Sequence, residues 1–223
     1  MRLIILGLAV ILSLFTAFES IAGYIEVQTG SGPIIRRRVT SLKELKYRRI
    51  VSQTIDYSCG AAALATLLKY HFGINVTEKQ IVTYLLKGGD QELIRKKGFS
   101  LLDIKRFAER IGYRTAGYKI KPEILPKITI PAIVLINSRG YSHFVVFKKM
   151  IGEKVFLADP ARGNRTMQLK HFLKVWNNII LLIDGLKVGQ PEGLYMKKKW
   201  VASREVLRME RIDLSFLKNP IEF

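Results

Sequence analysis

The sequence predicts an α+β domain in which helices pack on an antiparallel sheet. Three observations carry that expectation. Between residues 59 and 112 the apolar residues recur at helical spacing behind recognisable caps, whereas from 114 to 183 they alternate or come in short runs. The two kinds of segment are segregated, helices first, and proline and glycine leave only short turns between the strands. With 223 residues, 48% apolar and 25% charged, the chain can bury one core and excludes a disordered, collagenous or coiled-coil protein.

Taken in order, residues 1–22 join Arg2 to an uncharged apolar run ending at Phe18, followed by Glu19, Ser20 and Ala22. A positive start, an apolar stretch and small residues at −3 and −1 of a cut after Ala22 describe a secretory signal, with an uncut membrane anchor left open. Either places the remainder outside the cytoplasm. Tyr24–Gln28 alternates as a short strand and stops at Thr29-Gly30-Ser31-Gly32-Pro33. Arg36–Arg38 and the stretch from Lys43 to Arg49 complete a basic arm over 23–50. A helix runs from Gly60 to His71 and halts before Gly73. Thr77 and Gln80 form a capping box for a second helix through Ile81, Val82, Leu85 and Leu86, closed by Gly88-Gly89. Ser100 and Asp103 open a third, carrying Leu101, Ile104, Phe107, Ala108 and Ile111. Strands follow at 114–119, 132–137, 143–148, 154–158 and 179–183, with a short helix over 168–176 before the last. The domain proper therefore covers 51–184, and 185–223 is a basic extension holding Lys197–Lys199.

The 37 basic and 18 acidic residues leave a net charge of +19. No aromatic-basic module for nucleic acid appears. Arg36–Arg38, Arg95–Lys97 and Lys197–Lys199 suit an anionic membrane surface or an acidic substrate, and a merely solvated face remains open. One cysteine excludes a disulfide framework and any cysteine-based zinc site. No metal or organic cofactor is implied, and no phosphate-binding loop of the G-x-x-x-x-G-K-[ST] type provides for ATP.

That cysteine, Cys59, stands at the first turn of the first strong helix, where unpaired N–H groups and the dipole favour an anion. Gln53, six residues earlier, is a candidate oxyanion donor. Position alone leaves open a small buried cysteine starting a core helix. A thiolate nucleophile needs a base. His71 reads as a helix C-terminal cap and His171 as a structural residue of a short helix, whereas His143 begins a strand that can aim it. Asp159 ends the next strand, and a hairpin returns that end beside His143, where it can orient the imidazole.

These residues resemble a known family. Gln53, Asp56-Tyr57-Ser58-Cys59-Gly60-Ala61, Gly140-Tyr141-Ser142-His143-Phe144, Leu157-Ala158-Asp159-Pro160 and Gly163-Asn164 are similar, in order, to motifs of the bacteriocin-processing cysteine peptidases that act on double-glycine leaders. The resemblance implies a papain-like fold, Cys59 as nucleophile, His143 as base and then acid, Asp159 as orienter and Gln53 as oxyanion donor. It implies a polypeptide substrate and partners in a secretion system. The export signal makes the chain look most like stand-alone members, including those of functional-amyloid secretion. Two other classes stay in view: a catalytically silent peptide-binding or chaperone module, and a peptidoglycan peptidase, whose cysteine usually sits in an Asp-Cys-Ser-Gly setting that differs from Ser58-Cys59-Gly60-Ala61 here.

Overall fold

A computed structural model describes residues 23–28, 34–138, 140–186 and 220; the expected signal and almost all of the basic extension lie outside the described residues. The chain divides into two compact units, Met1–Leu45 and Lys46–Phe223. In the first, β1 (Tyr24–Val27) pairs antiparallel with β2 (Ile35–Arg38), and Arg36 reaches the Glu26 carboxylate across the pair. The sequence reading placed β1 but left the arginine run as an arm, because three consecutive charges carry no apolar alternation.

The second unit holds the helices α1 (Cys59–Tyr70), α2 (Glu78–Gly88), α3 (Gln91–Lys97), α4 (Leu101–Arg110) and α5 (Leu169–Val175). Its sheet joins β3 (Tyr113–Lys119), β4 (Ala132–Ser138), β5 (Tyr141–Ile151), β6 (Lys154–Asp159), β7 (Gly163–Gln168) and β8 (Trp176–Leu186) in the order β3-β8-β4-β5-β6-β7. Every neighbouring pair is antiparallel. The α+β expectation, helices on an antiparallel sheet, is what the chain forms.

Strand alternation divides the sheet's side chains between two cores. Ile133, Phe144, Val146, Ala158, Leu181 and Ile183 pack with α1, α2 and α4. Val134, Val145, Phe147, Leu157, Ile180 and Leu182 pack with Leu125 of a 3-10 helix (Pro122–Lys127) and with α5, whose Phe172 stacks on Trp176 at 5.3 Å. Helix α1 is buried along its length from Gly60 to Leu68, which explains its small residues. A Cβ on Gly60 would stand 2.7 Å from Ile104 Cδ1 and 3.1 Å from Phe144 Cδ2, so α1 needs a glycine where it crosses α4 and β5.

The capping boxes of α2 and α4 form as predicted, Thr77 with Gln80 and Ser100 with Asp103. Several elements escaped the periodicity, among them α3 and β7. Helix α3, capped by Asp90, buries only Ile94, and β7 is an edge strand whose Gly-Asn-Arg-Thr-Met-Gln carries almost no apolar alternation. Both are short and mostly polar, so hydrophobic pattern says little about them. No helix among the described residues is long and apolar enough to cross a membrane.

Candidate active site

Ser58 occupies the N-cap of α1, but its hydroxyl does not cap the helix. It lies instead between the Ile55 carbonyl, at 2.7 Å, and the Glu78 carboxylate. The first-turn N–H groups behind Cys59 therefore receive no side-chain cap and keep their positive end toward the thiol. Glu78 is 5% exposed and also accepts from Thr54, at 3.0 Å from its N–H and 2.6 Å from its hydroxyl. One buried carboxylate thus fastens both ends of the loop that delivers the cysteine. Sequence reasoning missed Glu78, which reads as an ordinary acidic residue in the first turn of a capped helix.

His143 and Asp159 meet as the hairpin argument predicts. The imidazole Nε2 lies 2.8 Å from Asp159 Oδ1, which leaves Nδ1 for the Cys59 thiol. Asp159 is fully buried and accepts three further bonds: the Ala161 and Arg162 N–H groups reach Oδ1 at 3.0 Å each, and Arg165 Nη1 reaches Oδ2 at 2.9 Å. Burial pushes this carboxyl's pKa up, but the hydrogen bond and charge of His143 and the bonds from Arg165 and Ala161 outweigh it and bring Asp159 down to about 2. For His143, burial opposes the charged ring; the hydrogen bonds and charges of Asp159 and Cys59 outweigh it and hold the imidazolium up to about 9. Arg165 was not singled out from the sequence, although it stands on β7 only six residues beyond Asp159.

Cys59 and His143 share a cavity of about 450 Å³ with Asp56, Tyr57, Gly98, Tyr141, Ser142 and Arg162 among its walls. Gln53 is not one of them. Its amide nitrogen gives its two hydrogens to the Ile55 carbonyl at 2.7 Å and the Asp56 carbonyl at 2.9 Å, while Oε1 is buried without a partner. The expected oxyanion donor is therefore engaged inside the 53–56 turn. The backbone N–H of Gln53 also donates to Pro160, at 2.9 Å, and so ties the cysteine loop to the turn after Asp159.

That tie is one of several. Tyr47 donates its hydroxyl to Ala161 at 2.7 Å, and the Asn164 side chain donates to the carbonyls of Lys46 and Arg48 at 3.2 and 3.0 Å. Gly163 has φ +80°, and a Cβ there would come 2.6 Å from the Lys46 carbonyl oxygen. The segment from Lys46 to Arg48, read from the sequence as the end of the arm, is thus fixed against the β6–β7 turn.

The other two histidines stay apart from this cavity. His71 follows the last residue of α1 with its ring edge-on to Phe72 at 4.7 Å, and burial lowers its pKa. It caps the helix by position, through a backbone bond to Leu67, and not as the cation expected at a helix end. His171 sits in α5.

A family model described as Peptidase C39 matches residues 47–186, the span of the sheet and every helix described above. The chain belongs to the Peptidase C39 family. As a C39 peptidase it is a cysteine peptidase, and Cys59 is the single cysteine in its sequence. It is 37% identical to the "Probable functional amyloid protease FapD" of Pseudomonas fluorescens, over 93% of this chain and 96% of that one. The protein of the same name from Pseudomonas aeruginosa is 39% identical, over 98% and 99%. Among solved structures, a double glycine motif protease from an AMS/PCAT transporter, in complex with the leader peptide, superposes with a TM-score of 0.52 at 28% identity, covering 60% of this chain and 89% of that one. These neighbours share the papain-like peptidase fold.

Proposed function

We propose that this C39 peptidase cleaves a peptide bond in a secreted or translocated polypeptide, outside the cytoplasm, through a Cys59, His143 and Asp159 triad. The observation that carries the reading is the chain of contacts from a fully buried Asp159 to His143 Nε2 and on to Cys59. The near-complete mutual coverage with relatives named functional amyloid proteases supports a place in an amyloid or peptide secretion system. The signal-like segment 1–22 supports export.

In this mechanism the Cys59 sulfur attacks the scissile carbonyl carbon, and the oxyanion that forms is met by the Cys59 N–H at the uncapped helix start. His143, a cation at neutral pH, passes its proton to the departing amine and leaves a thioester. It then takes a proton from water, whose oxygen attacks the thioester carbon and releases the acid and the thiol. Asp159 keeps Nε2 occupied so that Nδ1 faces the sulfur. Gln53 assists the oxyanion once a substrate carbonyl draws its amide away from the Asp56 carbonyl, the more exposed of its two acceptors.

Digestion of a proteome-derived peptide library, read by mass spectrometry of the new N-termini, tests the reading. Wild type should generate a set of termini that Cys59→Ala abolishes while keeping the wild-type circular dichroism. The same termini from Cys59→Ala would sink the mechanism.

A further inference from the structure

The walls of the Cys59 cavity carry Arg95, Lys96, Lys97 and Arg162 against a single carboxylate, Asp56. None of the four cations has an ion-pair partner among the described residues. Three of them form the last turn of α3, where a helix dipole welcomes positive charge, and helix capping alone would account for one or two. Arg162 has no such explanation. It comes from the β6–β7 turn, a separate element, and opens onto the same cavity.

The α3 cations are also held in place. Ile94 is buried beneath the helix, and Phe99, buried just beyond it, meets Tyr57 of the cysteine loop edge-on at 6.0 Å. Gly98 ends α3 with φ +78° so close to that loop that a Cβ would lie 3.3 Å from the Tyr57 carbonyl. The basic turn is therefore built against the loop that carries the nucleophile. A cavity of about 450 Å³ is on the order of one physiological Debye length, ~8 Å, across, so charges on its walls are felt at the sulfur and are only partly screened, an effect that added salt should weaken.

We propose that this cationic rim is a specificity subsite, and that the enzyme selects polypeptides bearing acidic side chains within a few residues of the scissile bond. The proposal rests on the reading of Cys59 as the nucleophile. Unpaired arginines and lysines around a cleft attract carboxylates and raise their local concentration. A substrate with lysine or arginine in the same place would meet four like charges.

Because Cys59 is the only cysteine in the chain, its alkylation reports the cavity directly. The first arm compares the rates of iodoacetate, an anion, and iodoacetamide, its neutral counterpart; in each the sulfur forms a bond to carbon and iodide leaves. The iodoacetate-to-iodoacetamide rate ratio should fall about threefold or more between 50 and 500 mM salt, and by a similar factor at low salt in Arg95→Gln/Lys96→Gln/Lys97→Gln/Arg162→Gln. The second arm uses acetyl-Glu-Glu-Ala-Gly chloromethyl ketone and its Gln-Gln counterpart, in each of which the sulfur bonds to the methylene carbon and chloride leaves, followed by intact mass. The glutamate probe should label wild type faster and lose that advantage in the fourfold variant. A ratio indifferent to salt and to the four substitutions, or equal labelling by the two peptides in wild type, overturns the proposal. The salt series needs no variant to fold. A separate control, His143→Ala with iodoacetamide across pH, reports on the Cys–His pair, so its failure is distinguishable from that of the rim.

Discussion

Asp159 gathers four bonds, and each pushes the same way. His143, Arg165 and two backbone N–H groups favour the ionised carboxylate, and that carboxylate in turn stabilises the imidazolium. The pH dependence follows by sign. His143 titrates at about 9 in the folded protein, above its usual 6.5, so the step that needs an imidazolium should persist through neutral pH and fail as pH rises through 9. Asp159→Asn removes the charge that raises the ring, and the alkaline limb of kcat/KM should move down toward 6.5 with a lower plateau. A limb that stays put in the variant would mean that Asp159 does not set the imidazole. Glu78 makes a second residue-scale case. Glu78→Gln turns an N–H₂ toward donors on Thr54 and Ser58 and should cost about 2 kcal/mol, read as a urea midpoint shift at constant slope. Turnover should fall as well, because the same bonds hold the loop before Cys59.

At the scale of elements, α1 shows how much the sequence could tell. Its start, its small-residue face and the nucleophile's place in its first turn are all legible from Ser58-Cys59-Gly60-Ala61-Ala62-Ala63. What no pattern shows is that Gly60 sits against Ile104 and Phe144, since that contact depends on how α1 crosses α4 and β5. Gly60→Ala gains about 1 kcal/mol of helix propensity and loses about 1–3 to overpacking. The net should be a lower urea midpoint, and a displaced Cys59 should alkylate at a changed rate; an unchanged rate and midpoint would show that the crossing has slack. Helix α3 and strand β7 are the opposite case. Their residues are polar, and they are fixed by Asp90, by Ile94 and by pairing to β6, all invisible to periodicity. The cost of that blind spot is functional, since α3 brings three cations to the cavity and β7 brings Arg165 to Asp159. Gln53 was legible as a residue type but not as a geometry: its amide satisfies its own turn.

The whole second unit is closed by the bonds that run from the segment before α1 to the turn between β6 and β7. Tyr47 and Ala161 are 114 residues apart, and Asn164 reaches back 118 residues to Lys46. Each neutral bond contributes about 1 kcal/mol, so Asn164→Ala should lower stability by about 1–2 kcal/mol and slow turnover more than that loss explains. Turnover equal to wild type at a reduced midpoint would confine those bonds to a structural role. The same closure orders events in time. During synthesis α1 can form as soon as residue 70 is available, whereas His143, Asp159, Arg165 and the bonds from Asn164 come roughly 75 to 95 residues later, and contacts of such separation form slowly. A nascent chain therefore carries Cys59 well before the strands that bring His143 and Asp159 to it, so on the proposed mechanism the maker of the protein is spared a protease that works before it is finished.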